Sequence, residues 1–435
     1  MALELSDTLR DETVGLLQDL IRLDTVNPPG NETRAADLLR SYLEANGVSC
    51  ELYAKVPERA NLVARIPGGG GPRLLLLSHT DTVLADASEW RVDPWSGELR
   101  NGEVWGRGAL DMKGQVAAGA VAVASLAREG FRPSGDLIFA ATADEEVGED
   151  FGLQWLVRAH PDAVRAEYAI NEGAGDRLEL GGHVLYLCSP AEKMSAPFRL
   201  SVFGRSGHAS MPGIADNALV KAAGFVQALA AYEPDRSLGP ETMALLEALT
   251  GEAPTGVDDA LSRAREVHPL AGELVEPLLS LTLSPTMAEA SQKRNVIPAR
   301  CDVTVDCRLL PGQLPADVEP LLRELLGEGS YSIEWLEAYG GTRSSMSSPL
   351  WDAVAGFVEA TEPGAVAAPV MVAGFTDSHW LREAFGTIAY GFFPMRTMDP
   401  ELAARLVHSA DERAHVDDLG LGVSFLRHAA QNVLG

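Results

Sequence analysis

The hydrophobic pattern of the chain is clearest at Leu137–Ala141, a continuous apolar run without helical period that predicts a strand buried on both faces of a parallel sheet. Three acids, Asp144, Glu145 and Glu146, follow this run. In open α/β sheets the carboxyl ends of strands line a crevice, so these side chains are expected to face it. One of the adjacent Glu residues could ligate a metal while the other moves protons to and from water there. A solvated acidic turn is the alternative interpretation of these residues taken alone.

Two further apolar segments end in polar residues in the same way. Leu74–Leu77 runs into His79 and Asp81, and Tyr168–Asn171 runs into Glu172. Apolar positions at helical spacing predict helices over much of the intervening sequence. This alternation predicts an α/β fold with a mostly parallel mixed sheet and helices on both faces.

The pattern changes near residue 193. From there the predicted order is β, α, β, β, α, β, which is typical of a ferredoxin-like α+β domain. Its first helix is expected over 214–232 and its second strand over 279–283, with an extra, mostly helical stretch at about 233–278 between them.

The earlier strand-and-helix pattern resumes after Gly340-Gly341. The simplest interpretation is one discontinuous domain interrupted by a smaller one. We therefore predict a first domain made of residues 1–192 and 340–435, with residues 193–339 inserted into it.

The amino-acid composition excludes some classes of function, such as nucleic-acid binding and membrane spanning. The 435 residues are 46% hydrophobic, and the formal net charge of -27 would repel nucleic acid and anionic membranes. The four cysteines have no metal-binding spacing and are expected to be reduced. The N-terminus lacks the pattern of a signal peptide, and no apolar run approaches the roughly 18 residues of a membrane span. A cytoplasmic location is the prediction.

The acids and histidines at these strand ends and in adjoining loops form a candidate ligand set. A lone histidine is more often structural, but so many acids in one crevice repel each other unless metal ions neutralise them. Two imidazoles with several carboxylates fit two divalent ions, most often zinc, and manganese or cobalt also fit. The set comprises His79, Asp81, Asp111, Glu145, Glu146, Glu172 and His408.

The chain resembles the M20 metallopeptidases, a family that includes aminoacylases, glutamate-releasing carboxypeptidases, acetylornithine deacetylase and succinyl-diaminopimelate desuccinylase. The resemblance covers nearly the whole length. Its motifs are Ser78-His-Thr-Asp81, Gly106-Arg-Gly-Ala-Leu-Asp-Met-Lys-Gly114, Asp144-Glu-Glu-Val-Gly148, Asn171-Glu-Gly173, Gly207-His208, Arg294-Asn-Val-Ile-Pro298, Asp306-Cys-Arg308 and His408-Ser-Ala-Asp-Glu412.

The resemblance implies a dizinc-peptidase type of catalytic domain and a division of the ligands between two metals. His79 and Glu172 would hold one ion, and Glu146 and His408 the other. Asp111 would bridge the two ions. The inserted domain would serve as a lid or as a dimerisation domain.

Three further residues receive catalytic roles from the resemblance. Asp81 would hydrogen-bond the outer nitrogen of His79 and fix its tautomer. Glu145 would take a proton from the attacking water and return it to the leaving amine. His208 would reach the active site of a partner subunit and stabilise the oxyanion, as its equivalent does in dimeric relatives. From sequence alone, a histidine that stabilises a turn is the alternative for His208.

Candidate substrate contacts also follow from the resemblance. Asn295 and Arg308 match positions that contact substrate in relatives, and Arg343 lies near a carboxylate-binding arginine, with a surface salt bridge as its alternative. In Thr376-Asp-Ser-His379, a histidine stands where relatives more often have an arginine.

We therefore interpret the chain as a dinuclear metal-dependent hydrolase of an amide or peptide bond in a small, carboxylate-bearing substrate, an N-acyl amino acid or a short peptide. One alternative keeps the fold and metals but cleaves an amidine or ureido carbon–nitrogen bond. Another is a non-catalytic metal-binding protein, which would have no use for the proton shuttle Glu145. A homodimer formed through the inserted domain is expected, and neither nucleic acid nor membrane is an expected partner.

Overall fold

The computed structural model describes residues 6–267, 271–272 and 275–435. These residues form two compact units. The first unit comprises Met1–Pro190, Ser344–Val370 and Thr376–Gly435, and the second comprises Ala191–Arg343 and Met371–Phe375. Part of the helical stretch predicted at 233–278 lies outside the described residues. Within it, helices cover 240–250 and 257–267.

The strands are numbered in chain order. They are β1 Ser49–Ala54, β2 Ala60–Ile66, β3 Leu74–His79, β4 Glu98–Arg100, β5 Glu103–Trp105, β6 Leu137–Thr142, β7 Tyr168–Asn171, β8 Arg177–Leu180, β9 His183–Glu192, β10 Met194–Ser195, β11 Phe198–Phe203, β12 Gly207–His208, β13 Thr282–Glu289, β14 Val296–Ile297, β15 Arg300–Leu309, β16 Tyr331–Trp335, β17 Thr342–Arg343, β18 Val366–Val372, β19 Ile388–Gly391 and β20 Arg413–His415.

The α-helices are numbered in the same way. They are α1 Asp7–Ile21, α2 Thr33–Ala45, α3 Lys113–Arg128, α4 Leu153–Ala159, α5 Pro161–Val164, α6 Ala218–Ala230, α7 Pro240–Thr250, α8 Val257–Val267, α9 Pro315–Leu326, α10 Pro349–Thr361, α11 Ser378–Phe385, α12 Pro400–Leu406 and α13 Val416–Leu434.

The first unit is built on a mixed sheet whose strand order is β1-β2-β6-β3-β7-β19-β9. The central strands β6, β3, β7 and β19 are parallel, and antiparallel pairings flank them. Every residue of β3 and β6 is buried, as expected for strands covered on both faces. The parallel centre confirms the predicted fold class.

Small residues bring helix α3 close to this sheet. Its sequence is rich in Ala and Gly, and all of its residues from Lys113 to Leu126 are buried. A Cβ atom on Gly119 would lie 2.7 Å from Cε2 of the buried Phe139 on β6. This contact sets how closely α3 packs on the strand that leads to the acidic turn.

The second unit contains a five-stranded antiparallel sheet in which β13, β15, β11 and β16 lie side by side and β10 also pairs with β15. With α6 after β11 and α9 after β15, this is the predicted ferredoxin-like order of elements.

Two predicted boundaries in this unit are wrong. The strand expected over 279–283 is β13, which starts at Thr282 and continues to Glu289, because backbone pairing with β15 defines it and much of its surface is exposed. The helix expected over 214–232 starts only at Ala218, where the side chain of Asn217 accepts a hydrogen bond from Leu219 N at 3.0 Å.

The four cysteines, Cys50, Cys188, Cys301 and Cys307, are free. Among the described residues, no helix combines the length and apolarity that crossing a bilayer requires. His268, which falls outside every sequence motif, lies outside the described residues.

The packing of α3 predicts opposite effects for two identical substitutions in the first unit. Gly119→Ala should lower the free energy of unfolding by about 1–3 kcal/mol, because the new methyl group overlaps the Phe139 ring. Gly15→Ala in α1 meets no atom within 4 Å and should raise it by up to about 1 kcal/mol through helix propensity. Urea unfolding followed by fluorescence tests both. Equal midpoints for the two variants would contradict the packing argument.

Candidate metal centre

Three neighbouring strands bring the candidate ligands to one edge of the sheet. His79 is the last residue of β3 and lies opposite Thr142, the last residue of β6. Glu172 follows β7, which is parallel to β3 on its other side. Because the carboxyl ends of parallel strands meet at one edge, residues from distant parts of the sequence become neighbours.

Asp111 lies between the two candidate histidines. Its Oδ1 atom is 3.2 Å from His79 Nε2, and its Oδ2 atom is 3.0 Å from His408 Nε2. Each oxygen of one carboxylate therefore faces a different imidazole. This is the arrangement expected of a bridging ligand.

The glutamates divide between the same two imidazoles. Glu172 Oε1 lies 3.7 Å from His79 Nε2, whereas Glu146 Oε2 lies 3.2 Å from His408 Nε2. Glu145 Oε2 is also on the His79 side, at 4.0 Å from Nε2. The ligand atoms of His79, Glu145 and Glu172 lie within 4.8 Å of one another, and so do those of His79, Asp111 and Glu146.

The donor set fits divalent cations. The Oε1 atom of Glu146 is buried, and no described residue donates a hydrogen bond to it, so it is available to a metal. Imidazole nitrogens and carboxylate oxygens suit zinc, manganese and cobalt alike, so the set specifies a divalent ion without selecting one.

The close carboxylates perturb each other's protonation. Burial, followed by the charge of Glu172, raises the pKa of Glu145 well above its ordinary value. Burial also raises the pKa of Glu172. Bound cations would oppose these shifts, because a nearby positive charge favours the ionised carboxylate.

The pKa values of the two imidazoles, His79 and His408, are raised, which favours their protonated forms. Hydrogen bonds with Asp111 and then Glu146 raise the pKa of His408 to about 10. Burial alone would lower the pKa of His79, but the carboxylates of Glu172 and Asp111 outweigh it and raise that pKa well above the usual value.

Asp81 is fully buried behind His79. Its Oδ1 lies 3.4 Å from His79 Nδ1, and its backbone carbonyl oxygen lies 3.1 Å from the same nitrogen. Both contacts favour a proton on Nδ1, which leaves Nε2 free to bind a metal. The carboxylate also accepts hydrogen bonds from the backbone N–H groups of Glu145 and Glu146, at 3.2 and 3.1 Å.

Glu412 is a residue whose role the sequence interpretation missed. Its buried carboxylate accepts hydrogen bonds from the backbone N–H groups of Asp111, Leu110 and Gly108 at 2.8–3.0 Å, and from Arg107 Nη1 at 2.7 Å. It thereby holds the loop that supplies Asp111. The sequence signal that could have identified Glu412 was its place in the same motif as His408.

Asp377 was also missed as part of this site. It is buried, accepts a hydrogen bond from Thr142 Oγ1 at 3.2 Å, and has a pKa raised to about 8 by burial. Its neighbour His379 lies within α11, 1% exposed, with its ring centroid 4.8 Å from that of Trp380. Burial lowers the pKa of His379 to about 4, so it does not offer the permanent charge of an arginine.

His208 and Asn295 belong to the second unit, where they are neighbours. β12 pairs with β14 so that His208 lies opposite Val296, and Ala209 N donates to the carbonyl oxygen of Asn295 at 3.0 Å. The His208 ring is exposed, and its Nδ1 accepts a hydrogen bond from Ser210 N at 3.2 Å.

Arg308 and Arg343 also lie in the second unit, each beside an acid. Arg308 donates two hydrogen bonds to Asp306, at 2.9 and 3.0 Å. Arg343 Nε lies 3.4 Å from the carboxylate of the buried Glu241 on α7, and 40% of the Arg343 side chain is exposed. Acids thus orient both guanidinium groups.

The parallel-centred sheet, with two imidazoles and a carboxylate cluster at one edge, is the arrangement of a dinuclear metallohydrolase. The chain belongs to peptidase family M20/M25/M40, whose family model matches residues 75–432. The match confirms the resemblance drawn from the sequence motifs and the predicted enzyme class.

Similar proteins cover nearly the whole chain. A succinyl-diaminopimelate desuccinylase from Rhodospirillum centenum is 29% identical over 425 residues, which are 94% of each chain. A metallo-carboxypeptidase of family M20 from Sulfolobus solfataricus superimposes with a TM-score of 0.74 at 19% identity, covering 97% of this chain and 99% of the other. A dinuclear metal-binding M20 peptidase from Bacillus subtilis superimposes with a TM-score of 0.61 at 12% identity, and the match covers 99% of each chain. The two structures support the fold.

The raised pKa of His408 predicts that metal uptake depends on pH. Below a pH of about 10 this imidazole carries a proton that a metal must displace, so apparent zinc affinity should rise with pH between 6 and 9, by up to about tenfold per unit for each displaced proton. Calorimetric titration in buffers of different ionisation enthalpy measures both the affinity and the proton release.

The exposed His183 offers a control for this measurement. His183→Ala should keep the pH dependence, whereas His408→Ala should weaken it and leave the part that arises from the proton on His79. Zinc binding that is independent of pH in the unsubstituted protein would contradict the predicted proton displacement.

Proposed function

We propose that this metallohydrolase cleaves N-acyl amino acids, and that N-succinyl amino acids are the first substrates to test. The observation that carries the proposal is the position of Asp111. Its two carboxylate oxygens face the imidazoles of His79 and His408, and the carboxylate of Glu145 lies beside His79. The similarity to succinyl-diaminopimelate desuccinylases supports the choice of acyl group. A cytoplasmic location with reduced cysteines is consistent with this proposal.

The distances support a division of the ligands between two ions. His79 and Glu172 would hold one ion, Glu146 and His408 would hold the other, and Asp111 would bridge them. When bound, such a pair of divalent ions, zinc as the first choice, activates water and polarises the substrate carbonyl.

Glu145 would move the proton in this reaction. Its backbone N–H is fixed by Asp81, and its carboxylate lies on the His79 side of the cluster. Because its environment raises its pKa, the Glu145 carboxylate has a high affinity for a proton. It can therefore accept a proton from the attacking water and then deliver it to the leaving amine.

Substrate binding would involve the second unit. We assign the substrate carboxylate to Arg343, because its guanidinium is partly exposed and Glu241 orients it. Asn295 and Arg308 would contribute further polar contacts, and His208 would stabilise the oxyanion from a partner subunit.

A second copy of this chain is the proposed partner of the surface around His208. Large apolar side chains are exposed in the segment that follows it in the same unit, among them Met211, Ile214 and Val220, which are 53%, 61% and 67% exposed. Exposed apolar surface is typical of protein interfaces when such side chains form a patch. A homodimer through the second unit would cover them.

The proposed role of Glu145 predicts a large loss of activity without loss of metal. Glu145→Gln should lower kcat by about 100- to 10,000-fold, because the amide cannot carry the proton, while two metals remain bound. Amine release from N-succinyl, N-acetyl and dipeptide substrates by metal-reconstituted protein is the measurement, with ammonia release recorded alongside. Glu149→Gln, an exposed change in the same turn, serves as the control. Full activity of Glu145→Gln would contradict the proposed role of Glu145 in proton transfer. Release of ammonia would indicate a hydrolase of amidine or ureido carbon–nitrogen bonds.

The proposed dimer predicts a concentration-dependent mass. Sedimentation should show a species of twice 46.3 kDa, and Val220→Asp should shift it towards the monomer by placing a charge in the interface. Leu99→Asp, at a site 51% exposed in the first unit, should leave the mass unchanged. A 46.3 kDa species alone at micromolar concentration would contradict the dimer.

A further inference from the structure

A buried asparagine connects two acids behind the candidate catalytic turn. The Nδ2 atom of Asn27 donates to Asp81 Oδ2 at 2.9 Å and to Asp144 Oδ1 at 3.2 Å. Asn27 is 3% exposed, and Asp81 and Asp144 are 0% and 4% exposed. Two carboxylates that would otherwise repel each other in a low-dielectric environment therefore share one donor group.

A buried arginine compensates the second of these acids. Arg59 Nη2 donates to Asp144 Oδ1 at 3.1 Å, and the same guanidinium makes a two-pronged pair with Glu32 at 2.7 and 2.8 Å. The side chains of Arg59 and Glu32 are 4% and 0% exposed. Removing the guanidinium would leave two buried carboxylates without their cation, which is strongly unfavourable.

These contacts converge on the turn that carries Glu145 and Glu146. Asp144 has a φ of +66°, and its Oδ2 accepts a hydrogen bond from Phe151 N at 2.9 Å. Asp81 accepts the N–H groups of Glu145 and Glu146. The turn is thus held from two sides by side chains, and Asn27 joins the two attachments.

The loop that carries Asn27 is fitted against the same arginine. Arg59 Nη1 donates to the carbonyl oxygen of Pro29 at 3.2 Å. Gly30 has a φ of +77°, and a Cβ atom there would lie 2.2 Å from Arg59 Nε. Only glycine allows the backbone to come this close, so the loop and the guanidinium have one fixed relation.

We propose that Asn27 and Arg59 are positioning residues for hydrolysis, which hold the turn bearing Glu145 and Glu146 through Asp81 and Asp144. They act on the reaction through other residues, since their side chains contact these acids, Glu32, the Phe151 ring and the loop. The proposal rests on the proposed function, in which Glu145 moves the proton.

The first test combines kinetics with metal analysis of the full chain loaded with zinc. Asn27→Ala should lower kcat by about 10- to 100-fold, the range typical of residues that orient active-site groups, with KM changed less than about twofold and two metals retained. Arg59→Lys, which keeps the charge but loses the two-pronged geometry, should lower kcat by about tenfold. A fall in kcat that comes entirely with loss of metal would overturn the proposal.

The matched control lies on β2, the strand that begins directly after Arg59. Arg65, near the far end of β2, donates to Asp136, which precedes β6, and to the carbonyl oxygens of Asp162 and Ala163 on α5. Arg65→Lys should leave kcat within about twofold. An equal loss of kcat in Arg59→Lys and Arg65→Lys would show a general effect of strand stability and overturn the proposal.

Hydrogen exchange measured by mass spectrometry provides a readout that does not need activity. In Asn27→Ala and Arg59→Lys, peptides covering residues 143–150 should exchange at least about threefold faster than in the unsubstituted protein, while peptides from α3 should keep their rates. Unchanged exchange in 143–150 would overturn the proposal even if kcat falls. If the unsubstituted protein hydrolyses none of the N-acyl substrates, the proposed function fails, and the exchange data still decide whether these residues hold the turn.

Discussion

The contact of one carboxylate with two imidazoles is the interaction on which the rest of the first unit depends. Asp111 can face both His79 and His408 only if its loop is held against the ends of β3 and β6. Glu412 provides that support with hydrogen bonds to three backbone N–H groups and an arginine. Because Glu412 lies four residues after His408, one segment of chain both supplies a candidate ligand and anchors the loop that carries Asp111.

The sheet explains why ligands so distant in sequence meet. Parallel strands β6, β3 and β7 must each be followed by a crossover, so their carboxyl ends open into loops at one edge. β3 and β6 are fully buried, and β7 is buried except at Tyr168, so charged residues gather at and just beyond the ends of these strands. The chemical cluster is therefore a direct consequence of the way the sheet is buried.

This relation also decides what the sequence could predict. An apolar run that stops at His79 or at the acids after β6 is a local signal that a sequence shows directly. The family motifs then assigned roles to Asp111 and His408, which follow no such run. The supports Asn27 and Arg59 have no such signal, since they owe their roles to partners as far as 117 residues away in the chain. Strand β13 was misplaced for a related reason, because its pairing partner and not its own apolar pattern defines it.

The adjacent acids Glu145 and Glu146 have different neighbours, which composition alone cannot show. Glu146 Oε2 lies 3.2 Å from His408 Nε2, so this carboxylate is on the His408 side of Asp111. Glu145 is 4.0 Å from the nearest imidazole nitrogen, and burial followed by the charge of Glu172 favours its protonated form. Two identical side chains, one peptide bond apart, thus face different groups, as the proposed division between metal ligand and proton carrier requires. The difference persists only while the turn holds each carboxylate on its own side of Asp111, so the hydrogen bonds that Asp81 and Asp144 accept from the backbone of the turn support the proposed chemistry.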